Sequence, residues 1–130
     1  VRIWDLSPGI LCRQHLLGEH RELHAVWSVI VGGRKGYSRH PETLRWVGKL
    51  GALFARHERL VAEMRRRGYD HRTPLPAALA RGSRRQRVYV DSPARQRRIL
   101  IEKGCECRVE PELSARGRAS RGRARGARRR

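Results

Sequence analysis

Apolar runs are scarce in this 130-residue chain, and no segment approaches the roughly 18 consecutive apolar residues of a membrane-spanning helix. An apolar signal-peptide core is missing as well, because Arg2 and Asp5 interrupt the N-terminal stretch. The expected location is cytoplasmic and nucleoid-associated. Cysteine is sparse: Cys12, Cys105 and Cys107 are odd in number and make no disulfide framework, so reduced thiols are expected. No second cysteine pair accompanies Cys105-x-Cys107 at a zinc-site spacing. Repeats of 20–50 residues are absent too. Acidic residues are the most telling shortage. Twelve Asp and Glu face 31 Lys and Arg, for a formal charge of +19. That excess exceeds what solubility needs and predicts attraction to a polyanion, with nucleic acid first and anionic membrane second. The plain alternative is a solvated coat of charge.

The length suits one domain. Ser7 and Pro8 read as the cap and first turn of a helix. Leu16, Leu23 and Ile30 recur at heptad spacing beside Trp27, which gives one buried stripe. Gln14, Arg21, Glu22 and Ala25 lie toward another side, and Gly32-Gly33 stops the helix. A basic loop, Arg34-Lys35-Gly36-Tyr37-Ser38-Arg39-His40, follows. Pro41 opens a second helix, expected to reach Arg67 before Gly68. Its apolar face is Leu50, Leu53, Phe54, Leu60, Val61 and Met64. Glu63 can pair with Arg59 or Arg67 on its surface.

Residues 69–91 read as loop, broken by Pro74, Pro76 and Gly82, with a basic cluster at Arg84-Arg85-Gln86-Arg87. Val88-Tyr89-Val90 is a candidate extended piece. Asp91 or Ser92 caps a third helix, with Pro93 inside it, running to Lys103 and ending at Gly104. From Ser114 the chain holds only Ser, Ala, Gly and Arg. The expected fold is therefore mainly α: a compact single domain of about three helices with long loops over residues 1–113, then a disordered basic tail over 114–130. Trp4, Trp27 and Trp46 read as core, while Tyr37 can stack on a base or pack. His20 and His24 stand one turn apart, but the H-E-x-x-H pattern is absent and no third ligand is evident, so no metal is expected.

Arg2-Ile3 followed by Gln14-His15-Leu16-x-x-Glu19-x-Arg21-Glu22-Leu23 resembles the pyrimidine-dimer DNA glycosylase (endonuclease V) family, without gaps over the first twenty-three residues. A weaker likeness runs through Lys49-Leu50, Ala62-Glu63 and Arg67-Gly68. The segment Arg34 to Thr43 resembles the bacterial branch of that family. The likeness spans about 100 residues. It implies a compact, mostly helical domain that cleaves the glycosidic bond of a damaged base and then nicks the backbone by β-elimination. No metal and no organic cofactor are implied. The partner implied is duplex DNA carrying pyrimidine dimers, other damaged bases or abasic sites, and a monomer is expected.

By the same resemblance, the Val1 α-amine attacks the sugar and Glu22 is the catalytic carboxylate. Arg2 and Arg21 hold phosphate, and Gln14 and His15 lie near the lesion sugar. Lys35, Tyr37 and Arg39 in the basic loop and Arg95 on the last helix are further DNA-binding candidates. An α-amine has a reference pKa of about 7.7–8.0, so on the order of a fifth is unprotonated at neutral pH and nucleophilic. Val1 is small enough to permit removal of a preceding Met. A Met in its place, from a GTG start, would also put an amine directly ahead of Arg2. Departures exist: His24-Ala25 replaces an arginine that the phage member carries, and the chain ends in Arg and Gly where that member is aromatic-rich. Two other readings stand beside this one: a non-catalytic basic DNA-binding protein on the same fold, and an RNA-binding protein. In the plainest reading, Glu22 is a surface residue paired with Arg21 or His15.

Overall fold

In the computed structural model an extended arm precedes the first helix; the structure describes residues 2–33 and 38–109. Ile3, Trp4 and Leu6 of the arm are buried. Pro8 does not begin the long helix. It opens a short 3₁₀ turn, Pro8–Ile10, and the Ser7 side chain makes no capping bond. Leu11 is extended and buried, so its side chain joins the core before the helix starts. Helix α1 then runs Arg13–Gly32 and ends at Gly33, whose φ of 66° is the left-handed conformation favoured by glycine.

The one helix expected from Pro41 to Arg67 is instead two, α2 (Pro41–Leu44) and α3 (Leu50–Arg66). The reason lies far along the chain. The carbonyls of Arg81 and Ser83 accept the backbone N–H groups of Gly51 (2.8 Å) and Ala52 (2.9 Å). Those donors would otherwise be orphaned at the start of α3. Ser83 in turn donates to the Gly48 carbonyl at 3.0 Å. The two backbones come so close that a Cβ at Gly82 would sit 2.3 Å from the Gly48 oxygen.

Residues 69–91 are otherwise irregular, with one 3₁₀ turn at Ala77–Leu79 and an isolated bridge between Lys49 and Gly82. Val88-Tyr89-Val90 forms no strand and is exposed. Helix α4 spans Pro93–Lys103; the Ser92 hydroxyl accepts the Arg95 N–H at 3.1 Å, and Gly104 closes it at φ 66°. The described chain is thus mainly helical, with four helices, and no described helix is long and apolar enough to cross a membrane. The tail at 114–130 lies outside the described residues.

The core forms where α1 packs on α3. Leu16, Leu23, Val26 and Trp27 meet Leu53, Leu60 and Met64, and Trp4 and Trp46 close over them. All three tryptophans are core, as expected. The buried face of α3 also carries Arg56 and His57, which its apolar periodicity does not reveal. Helix α4 is held differently: it buries only Gln96 and Leu100.

Candidate active site

Four polar staples fix the N-terminal arm. Arg45, buried after α2, donates to the carbonyls of Ile3 and Val88, both at 2.9 Å, and pairs with Asp5 at 3.0 Å and with Glu42. Gln96 of α4 accepts the Asp5 N–H at 2.7 Å and donates to its carboxylate at 2.9 Å. Arg56 of α3 donates to the Leu6 carbonyl at 2.7 Å and grips Glu19 through two bonds of 2.6 and 3.0 Å. Burial pushes the Glu19 carboxyl up, and the Arg56 guanidinium beside it pulls the other way. Lastly, Arg2 pairs with Asp91 at 2.9 Å while its guanidinium lies 5.0 Å from the Trp4 ring. Burying these charges is costly, and the pairing offsets that cost. The result is an arm with little freedom beside α1.

Between arm and helix lies an open cleft of about 380 Å³, lined by Arg2, Trp4, Gln14, His15, Glu22 and Lys103 among others. Gln14, Gly18 and Glu22 follow one another at four-residue steps, so they share one helical face. Gly18 leaves that face open: a Cβ there would meet nothing within 4 Å. His15 stands edge-on to Trp4, with ring centroids 5.7 Å apart. Burial and the nearby Lys103 push its pKa down, which favours a neutral ring.

Glu22 is the distinctive carboxylate. Asp5, Glu19, Glu42, Glu58, Glu63, Asp70 and Asp91 each have an ion-pair partner. Glu102 and Glu106 are exposed. Among the described residues Glu22 alone is half-buried and has no ion pair, to Arg21, to His15 or to any other described residue.

The structure brings Arg2, Gln14, His15 and Glu22 to this cleft and leaves other candidates elsewhere. Arg21 is exposed and lines an adjoining depression with Gln14 and Leu17. Arg39 and Arg95 are exposed and do not line the cleft. Val1, Lys35 and Tyr37 lie outside the described residues. Lys103 is a member that sequence reasoning missed. Its only sequence signal is a position in the last turn of α4, next to the glycine that ends it.

Two groups have the composition of metal sites. His20, His24, His57 and His71 bring ring nitrogens within 4.8 Å of one another, and Cys12, His15, Cys105 and Cys107 do the same with three sulfurs and a nitrogen. The third ligand that chain spacing does not show beside His20 and His24 is thus supplied by His57 and His71. Burial and the neighbouring rings of His24, His57 and His71 hold His20 at about 4.

Fold and cleft together define a small, strongly basic helical protein whose cleft sets the unpaired carboxylate of Glu22 among cationic side chains. The sequence profile of the pyrimidine dimer DNA glycosylases matches residues 1–77, more than half of the chain, and the protein belongs to that family. At the level of the family it is a DNA-repair glycosylase, and its substrate is DNA. No curated protein and no solved structure gave a significant match.

Proposed function

We propose that this protein is a bifunctional DNA glycosylase and abasic-site lyase acting on pyrimidine dimers in duplex DNA. The α-amine of Val1 attacks C1′ of the damaged nucleotide. The base leaves with the C1′–N bond electrons. The attached nitrogen then loses a proton, and its lone pair breaks C1′–O4′ and opens the sugar ring, giving a protonated imine and a 4′ hydroxyl. Loss of a C2′ proton then expels the 3′ phosphate by β-elimination. The observation that supports this reading is Glu22: half-buried, without an ion pair among the described residues, and in the cleft that Arg2 lines. A carboxylate so placed stabilises the cationic sugar and imine and moves the proton that elimination requires. Arg2 directly follows Val1 in the chain, so the amine and the cleft are covalent neighbours.

Arg2, Lys103 and, outside the cleft, Arg21 supply the positive charge that holds phosphates, while Gln14 and His15 offer hydrogen bonds to the sugar. The glycosidic carbon is not reachable in an intact stack, so a nucleotide must leave the helix for attack. Arg39, Arg95, Lys35 and Tyr37 belong to the proposed DNA surface beyond the cleft.

Borohydride trapping on abasic-site duplex tests the reading. The expected product is a covalent adduct that peptide mapping places on residue 1. Acetylating that amine, or leaving an extra Met ahead of it, removes the adduct. Absence of any adduct at concentrations that saturate DNA binding would mean a non-catalytic DNA-binding protein. If RNA outcompeted duplex DNA, the substrate class itself would be wrong.

A further inference from the structure

We propose that Cys12, His15, Cys105 and Cys107 form a structural zinc site that ties the start of α1 to the segment after α4. Cys12 caps α1, His15 lies one turn inside it, and the two other cysteines follow Gly104. Their four candidate ligand atoms all lie within 4.8 Å of one another. The Cys12 and Cys107 sulfurs stand 3.1 and 3.4 Å from the same atom, Nδ1 of His15. Tetrahedral zinc, with Zn–S of about 2.3 Å and Zn–N of about 2.0 Å, spaces its ligand atoms about 3.5–3.8 Å apart. The longest separation must close by about 1 Å, and the two sulfur–nitrogen pairs must open by a few tenths of an ångström, to accept the ion. Clusters of several irons hold their cysteine sulfurs further apart, so one ion fits better.

The surroundings suit an anionic three-thiolate complex. The backbone N–H of Cys12 donates to the Cys107 sulfur at 3.1 Å. Arg13, Arg66, Arg67 and Arg108 line the depression that Cys12 shares, against one carboxylate there, Glu106, and Glu63, which pairs with Arg66 and Arg67; Lys103 acts electrostatically on His15. The fold also has a use for such a tie, because α4 buries only two residues of its own. Four protein ligands leave no open position for substrate, so the ion's role is structural. Ligation through Nδ1 would also fix the proton of His15 on Nε2, making the ring that lines the cleft a hydrogen-bond donor.

The test is made on the full chain, stripped with a chelator under reducing conditions and refilled with Co2+. A strong thiolate-to-cobalt charge-transfer band with tetrahedral d–d absorption is expected. The Cys105→Ser/Cys107→Ser double variant should lose the band, and its zinc content after refilling with Zn2+ should fall by one ion per chain. A wild-type chain without that band in excess Co2+ overturns the proposal, whether or not the double variant folds. So does a double variant that keeps the band.

A second site stands on different residues. The geometry points to a nitrogen-ligated ion among His20 and His24 of α1, His57 of α3 and His71 of the following loop. Nε2 of His24 faces Nε2 of His57 at 3.2 Å, and Nε2 of His20 faces that of His71 at 3.1 Å. Four imidazoles so opposed turn lone pairs toward a common centre, which a borderline divalent ion such as Zn2+ satisfies together. The other nitrogen of buried His57 meets Glu58 at 2.8 Å, the carboxylate–histidine arrangement that orients a metal ligand. Zinc content separates this site from the first. The refilled wild-type chain is expected to hold two ions, and His20→Ala/His71→Ala one, with the cobalt–thiolate band unchanged. A wild-type chain holding a single ion lost with the cysteines, or a histidine variant keeping both ions, removes the second site and leaves the first intact.

Discussion

At the scale of single residues, Glu22 and Glu19 sit three positions apart on α1 and differ in everything but their carboxyl group. Glu19 is buried against Arg56, whose guanidinium also holds the arm through the Leu6 carbonyl. Removing one partner of such a pair strands the other charge, which costs about 3–5 kcal/mol. Glu19→Gln should therefore lower unfolding stability by about that amount in urea titration, with the m-value preserved. A loss below about 1 kcal/mol would show that water reaches the pair and that it does not anchor the arm. Glu22 lacks such a partner among the described residues. Glu22→Gln keeps shape and hydrogen bonding and removes charge and proton transfer. It should bind abasic-site duplex as wild type does while single-turnover cleavage falls about 10²–10⁴-fold. An unchanged cleavage rate removes Glu22 from the mechanism.

At the scale of elements, the helix ends separate what local chemistry dictates from what distant chain supplies. The boundaries of α4 follow from Ser92, Pro93 and Gly104, and the buried stripe of α1 follows from the spacing of Leu16 and Leu23; both were legible in the sequence. The break before α3 was not, because the carbonyls that cap it come from Arg81 and Ser83. Nor were the two clusters. Only the His20–His24, Cys12–His15 and Cys105–Cys107 pairs are local, and the partners that complete each cluster arrive from 33 to 95 residues away. Of the site, the α1 positions were readable and Lys103 was not, since nothing local joins α4 to α1.

The end of α3 makes a prediction of its own. Glu63 pairs with Arg67 at 2.7 Å and with Arg66, and those bonds hold its carboxyl down at about 2, against the ordinary 4.5. Because the folded value is depressed, the contribution is full above pH about 4.5 and is lost as pH falls toward 2. Arg66 is largely exposed, so solvent screening keeps the gain small. Denaturant midpoints measured from pH 5 down to about 2 should fall less steeply in Glu63→Gln than in wild type. Parallel curves would place the acid sensitivity in other carboxylates.

At the scale of the whole molecule, charge and site are divided along the chain. The family match ends at residue 77, and the cleft takes its side chains from the arm, α1 and the end of α4. Eight arginines and no acid lie in residues 114–130, so a large share of the +19 charge falls outside the stretches of sequence that supply the described cleft residues. Phosphate contacts of that kind add affinity without sequence or lesion information. The tail should therefore govern grip and the cleft should govern chemistry. Each phosphate neutralised on duplex DNA contributes about 0.9 to the salt slope of log K, so removing 114–130 should reduce the slope by up to about 7. Under single-turnover conditions with every site filled, the cleavage rate of the truncated chain should match that of the full chain. A slope that does not change would mean the tail makes no phosphate contact. A slower saturated rate would mean that the tail helps place the lesion in the cleft, so that binding and chemistry are not separable along this chain.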